Sequence, residues 1–200
     1  MEITTEKLKK VFKKKGYKLC SGPFNLNIFG VRDLGGQRDT FNDFVGVAYQ
    51  DDLNRYLVEL FPATTDPGIH WLRNPLNSKG TLIMLEGQYK SAYTIGKHGR
   101  SGLNPYEALE QCNEMAYVRD NNKDDQYDID PSKKISGIFK TNIHRASAWK
   151  ILQLIGKYSA GCQVIKDPNQ FLFLISLAHK QIQYGFGNKF SYTLLNKNDF

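Results

Sequence analysis

His144 and Cys162 are the residue types that a covalent acyl-transfer site needs. They lie in residues 143–165, IHRASAWKILQLIGKYSAGCQVI, with the cysteine eighteen positions after the histidine. A thiol attacks a carbonyl only as thiolate, and the free cysteine pKa of about 8.5 makes help necessary near neutrality. An imidazole can take the proton, and backbone N–H groups at a glycine turn can hold the oxyanion that develops. His144 as base and Cys162 as nucleophile fit those roles. Gly161, just before the cysteine, lets the backbone approach a substrate carbonyl closely.

The order His144, fourteen residues, then Ser159-Ala160-Gly161-Cys162 resembles the signature of the L,D-transpeptidase catalytic domain, whose members are cysteine enzymes acting on peptidoglycan stem peptides. The resemblance implies a site made of Cys162 as nucleophile, His144 as base, the Gly161 and Cys162 amides as oxyanion donors, and Ser159 in the turn. It implies no metal and no cofactor. The chain departs from the family at two places. Ala160 stands where His or Arg is usual, and Val164 stands where Arg or Asn is usual two positions after the cysteine. Arg145 is the substitute at hand for holding a substrate carboxylate. The whole chain is also similar to lysis-type or uncharacterised proteins of tailed phages, through NIFGVRD, FNDFVGVAY, TTDPG and YVRDNNKD. That likeness puts Arg119 and Asp120 at the border of the cleft. Hydrolysis or transpeptidation would follow from the second nucleophile, water or an amine; a lysis role favours water.

Other residues offer chemistry of their own. His98 lies in a polar stretch between glycines, IGKHGR at residues 95–100, and is a second site candidate besides a surface reading. With His144 and Cys162 it would form the ligand set of a zinc amidase, but zinc hydrolases place paired ligands at short spacing, which this chain lacks. His70, beside Trp71, reads as packing or surface, and His179 as a polar residue near a helix end. Asp120, Asn122 and Asp124 start a calcium-loop spacing, yet Asp125 and Pro131 occupy the positions that need Gly and Glu. Gly35-Gly36 matches neither phosphate-binding loop and reads as a turn. A non-enzymatic phage structural or cell-wall-binding protein is the alternative to an enzyme.

Elements must carry these residues to one place. Residues 4–15 read as a basic amphipathic helix with Leu8, Val11 and Phe12 on one face and Gly16 as its stop. From Asn25 the chain turns to short β-like runs, NLNIFGVR, DFVGVAYQ, RYLVELF, TLIMLEG and SAYTIG, separated by turn clusters such as TTDPG. Residues 104–112 read as a helix opened by Asn104 and Pro105, and residues 115–118 return to strand. Residues 136–145 read as one long strand delivering His144, with Arg145 on the opposite face. A helix from Asp167 or Pro168 to about Gln183 and a strand over residues 190–195 close the chain. The expected fold is α+β: a β-rich mixed sheet core like that of the L,D-transpeptidase catalytic domain, with a few peripheral helices. Residues 1–24 form a basic helical extension and residues 25–200 the catalytic domain.

Composition limits the class. Two hundred residues, 40% hydrophobic and 24% charged, suit one globular domain. No apolar run is long enough for a membrane span. The N-terminus lacks the apolar core of a signal peptide, which predicts a host-cytoplasmic protein before lysis, or a virion-associated one, acting on the cell wall. Three cysteines make no disulfide framework and point to free thiols. The net charge of +7 attracts anionic polymers in general. A lysine run carries no sequence information, so nucleic acid is not the expected partner; peptidoglycan stem peptides are. Oligomeric state is not legible.

Overall fold

The computed structural model describes residues 1–99 and 104–200; Arg100, the end of the IGKHGR stretch, lies outside them. The chain opens with α1 (Thr5–Lys15), where the Thr4 side chain accepts from the Lys7 N–H and Gly16 stops the helix at φ 70°. Its apolar stripe of Leu8, Val11 and Phe12 is buried against Phe29, Val31, Ala48 and Leu195, with the lysines left outward. The extension is thus part of the packed body.

The strands that follow are β1 (Asn27–Arg32), β2 (Asp43–Gln50) and β3 (Tyr56–Thr64), then a short helix α2 (Ile69–Arg73). Next come β4 (Thr81–Met84), β5 (Gly87–His98), β6 (Tyr106–Gln111), β7 (Met115–Asp120), β8 (Ile135–Gly137), β9 (Ile143–Arg145) and β10 (Gln163–Ile165). Helix α3 (Pro168–Gln183), capped by the Asp167 side chain, and β11 (Phe190–Asn196) complete the fold. Eight strands close into a barrel in the order β1-β11-β5-β6-β9-β10-β3-β2, and β4-β7-β8 form a separate small sheet. The barrel is mixed: β1 runs parallel to β11 and β9 parallel to β10, while its other pairs are antiparallel. The architecture is α+β, with a large mixed β core and few helices.

Alternation along the strands sorts the two faces. Ile28, Val45, Val47, Phe61, Tyr93, Leu109, Ile143, Ile165, Tyr192 and Leu194 join one cluster with Phe171, Leu174, Leu177 and Ala178 of α3. The opposite face of β1, β2 and β11 meets α1. Among the described residues no helix is long and apolar enough to cross a membrane.

Two local expectations are corrected. Residues 104–112 are not a helix: Tyr106 to Gln111 pair residue by residue with β5, and Leu109 pairs with Ile143 as well. Ala108 and Leu109, on opposite faces, are both fully buried. A strand buries consecutive residues when both of its faces are covered, and that burial with the ladders outweighs the modest helical propensity of YEALEQ. Nor are residues 136–145 one strand. The Phe139 and Thr141 N–H groups turn aside to share the Gln111 Oε1 acceptor, at 2.9 and 3.1 Å, and Lys140 takes φ 64°. That break divides β8 from β9 and hands the chain from the small sheet to the barrel.

Candidate active site

The parallel pairing of β9 with β10 sets the two candidate residues, His144 and Cys162, on neighbouring strands. Val164 lies beside His144, and the Gln163 N–H donates to the Asn142 carbonyl at 2.9 Å. Continuing that register places Cys162 beside Asn142. Neighbours in register share a face, and residues two apart do so again. Asn142, His144, Cys162 and Val164 therefore form one patch on the sheet, with His144 and Cys162 as diagonal neighbours. Diagonal Cα atoms lie about 7–8 Å apart, within reach of an imidazole.

His144 is 4% exposed. Its Nδ1 lies 2.9 Å from the Arg145 carbonyl oxygen, which can only accept, so Nδ1 carries the proton and Nε2 the lone pair. The Tyr106 hydroxyl donates to the same carbonyl at 3.3 Å and sits 3.5 Å from Nδ1. The His98 ring stacks on His144 with centroids 4.0 Å apart and planes 14° from parallel. Burial, and then the neighbouring His98, drive the His144 pKa down to about 3, with the Arg145 carbonyl opposing weakly. His144 rests as a neutral base.

Cys162 is partly exposed, and its thiol points along the Lys140 carbonyl oxygen at 3.8 Å. Protein surrounds the sulfur on its other sides. That burial pushes the thiol pKa up to about 11, against the Asn142 backbone N–H, which favours the thiolate. The resting pair is thus thiol and imidazole, not thiolate and imidazolium.

The turn before the cysteine is held from several directions. The buried Ser159 hydroxyl donates to the Cys162 carbonyl at 2.8 Å and accepts from the Gly161 N–H at 3.2 Å. The Gly161 amide, expected as an oxyanion donor, is therefore occupied within the turn. Among the described residues the Cys162 N–H donates to no protein acceptor. Gly161 has φ 121°, and a Cβ there would stand 2.8 Å from the Leu82 carbonyl oxygen, so only glycine lets the turn lie against β4. The Gly68 N–H donates to the Ser159 carbonyl at 2.9 Å, and buried charges fix the TTDPG segment that carries it. Asp66 pairs with the fully buried Arg32 (Nε to Oδ2 3.0 Å), while Asp43 accepts from the Thr65 N–H and hydroxyl at 2.7 and 2.8 Å.

Cys162 opens on a groove of about 470 Å³ between the barrel and the small sheet. Leu82, Arg119, Phe139, Lys140 and Ala160 are among its walls, two cations and no acid. The Arg119 guanidinium donates to the Gly80 carbonyl at 2.7 Å and lies 5.5 Å from the Phe139 ring centre, so it is already placed. Arg119 therefore does border the cleft. Its neighbour Asp120 is buried and accepts from the Asp128 N–H at 3.0 Å. Arg145 lies elsewhere: its guanidinium covers the Tyr106 ring at 4.2 Å in a second cleft with Ser147 and Trp149. The strand alternation that separates it from His144 was legible in the sequence.

His98 and His144 come together, with Cys162 diagonal to His144 on the neighbouring strand, but the three do not make a zinc set. Stacked imidazoles point their in-plane lone pairs side by side and cannot converge on one tetrahedral ion. Their Nδ1 atoms are also engaged, with Asn142 and Arg145. Among the described residues no group of three or more His, Cys, Asp or Glu is placed to hold a metal. His70 packs edge-on against Trp71, and His179 pairs with Glu107 at 3.0 Å. Sequence reading missed Tyr106 and Asn142. The helical assignment hid the pairing of Tyr106 with His98, and the long-strand assignment hid the bend that aims Asn142. No family model, curated protein or solved structure matches the chain.

Proposed function

We propose that this chain is a cysteine-dependent acyl-transfer enzyme of L,D-transpeptidase type, acting on peptidoglycan stem peptides as a peptidase or transpeptidase, with phage lysis as its setting. The observation that carries the reading is that Cys162 and His144 are diagonal neighbours on one face of adjacent strands, with His144 Nδ1 fixed by the Arg145 carbonyl. That bond leaves Nε2 as the basic edge, and Cys162 is the partly exposed group facing a groove. As the sulfur attacks the stem-peptide carbonyl, its proton passes to His144 Nε2 and the oxyanion gathers at the Cys162 N–H. Collapse breaks the amide bond, His144 returns the proton to the leaving amine, and a thioester remains on Cys162. Water then yields a carboxylic acid and free thiol; an amine yields a new amide and free thiol. Arg119 supplies a fixed cation for an acyl-donor carboxylate, the task for which Val164 is unsuited.

The test is mass spectrometry of defined muropeptides incubated with the protein and with Cys162→Ala. A gain of one water per cleaved bond, absent in the variant, marks a peptidase, and joined or exchanged stems mark a transpeptidase. No product from several wall chemistries would overturn the enzymatic reading in favour of a wall-binding or virion structural protein.

A further inference from the structure

The stack on His144 is built from the backbone outward. His98 ends β5 opposite Tyr106, so its ring is delivered to the same face of the barrel as His144. The Gln111 N–H donates to Asn142 Oδ1 at 3.0 Å, which fixes the amide and turns its NH₂ toward His98. Asn142 Nδ2 then meets His98 Nδ1 at 3.2 Å. An amide nitrogen only donates, so His98 Nδ1 must accept and its proton stays on Nε2. A neutral, oriented imidazole is thereby laid over the face of His144 at 4.0 Å, with the Tyr106 ring meeting His98 at a 61° angle. Nothing in acyl transfer requires a second histidine there, and an aliphatic side chain would fill the same space without a hydrogen bond to Asn142.

We infer that His98 is the positioning residue of the base: held by Asn142, its ring shields His144 from water and keeps it neutral with Nε2 free for Cys162. This deepens the acyl-transfer reading and rests on it only for the identity of the base. Two stacked imidazoles cannot both carry a proton cheaply, because like charges at this distance repel in a poorly solvated site. The other titratable or charged groups around the pair are Tyr106 and Glu110 from β6, Cys162 beside β10, and Arg145 and Lys97 on the two histidines' own strands. Glu110 favours the charged form of His98, but burial outweighs it and holds that ring low as well. Burial and His98 act on His144 in the same direction.

The experiment is an NMR titration of the ring resonances in the intact chain, whose four histidines are assigned by single substitutions. It compares wild type, His98→Ala and His98→Phe, each first shown to keep the wild-type circular dichroism. In the wild type His144 should stay neutral down to about pH 3. His98→Ala opens its face to water, and its midpoint should rise to above about 5, toward the ordinary 6.5. His98→Phe keeps the cover but loses the bond to Asn142 and should keep the midpoint low, because it is the ring over His144 that excludes water. An unchanged midpoint in His98→Ala, or an equal rise in both variants, overturns the inference. The titration needs no substrate, so a failed muropeptide assay would strike the enzymatic reading and leave the role of His98 to be decided separately.

Discussion

The resting state of Cys162 can be read directly by alkylation. A thiol titrating near 11 is about 0.01% thiolate at pH 7, against about 3% for a free cysteine of pKa near 8.5. Iodoacetamide should therefore modify Cys162 roughly 300-fold more slowly than a free thiol at pH 7, from ionisation alone. A base titrating near 3 cannot help in the absence of substrate. Moving the proton from a thiol near 11 to an imidazole near 3 costs about 11 kcal/mol at 1.36 kcal/mol per unit. Attraction between the ions, about 4 kcal/mol at 4 Å for an effective dielectric of 20, returns only part of that. The assay is time-resolved mass spectrometry of the tryptic peptide that holds Cys162, from pH 5 to 10.5, with urea-unfolded protein as reference. Poor access lowers the whole curve without moving its bend, whereas ionisation sets where the curve bends. The expected profile climbs about tenfold per pH unit to at least pH 10. A plateau beginning below pH 7 would show a preformed thiolate–imidazolium pair and refute the reasoning.

Further outcomes follow from the same geometry. Gly161→Ala combines a left-handed φ with a close approach to the Leu82 carbonyl and should cost about 1–3 kcal/mol, read as a melting temperature lower by roughly 2–12 °C; an unchanged melt would mean the turn is not pinned against β4. Arg119→Ala should lower kcat/KM for carboxylate-bearing acyl donors by about 10–100-fold, the worth of one charge-assisted hydrogen bond, and leave an amidated donor little affected; equal loss on both donors would remove the carboxylate role. His144, held near 3 in the fold against an ordinary 6.5, binds its proton only in the unfolded chain over that window, so its contribution is intact above about 6.5 and stability falls as pH drops from there toward 3, by up to about 5 kcal/mol. Urea unfolding of His144→Gln against wild type at pH 7 and pH 4 should show that pH difference shrink in the variant.

What the sequence carried was mostly local and periodic. The first helix was legible because Leu8, Val11 and Phe12 recur at helical spacing and Gly16 supplies the stop; the final helix was legible through Asp167 and Pro168 at its start. The early strands alternate and are bounded by turn residues. YEALEQ failed because its residues suit a helix and only the ladders to β5 and β9 make it a strand. The break at Lys140 failed because its cause, the Gln111 side chain capturing two backbone N–H groups, lies some thirty residues away in sequence. In the candidate site, His144, Gly161 and Cys162 are offered by residue type and spacing, and Ser159 by the resemblance to the L,D-transpeptidase signature. Which amide is free could not be named, because Ser159 uses its single oxygen to tie up the Gly161 N–H and the Cys162 carbonyl together.

Under the proposed reading, the departure at Val164 from the family pattern has a physical origin in the packing behind the cysteine. Val164 is fully buried with Phe41, Ala146 and Ile155, beneath the segment that joins His144 to the turn. A guanidinium there would be desolvated without a counter-charge, at a cost of several kcal/mol, so the position two after Cys162 cannot hold a substrate carboxylate. The groove obtains its fixed cation from the other sheet instead, through Arg119 on β7, braced by the Gly80 carbonyl and Phe139. Cys162 and Arg119 thus sit on different sheets, joined across the groove by the close approach of Gly161 to the Leu82 carbonyl. The glycine that shapes the turn also sets the spacing between the sulfur and the charge that would orient its substrate.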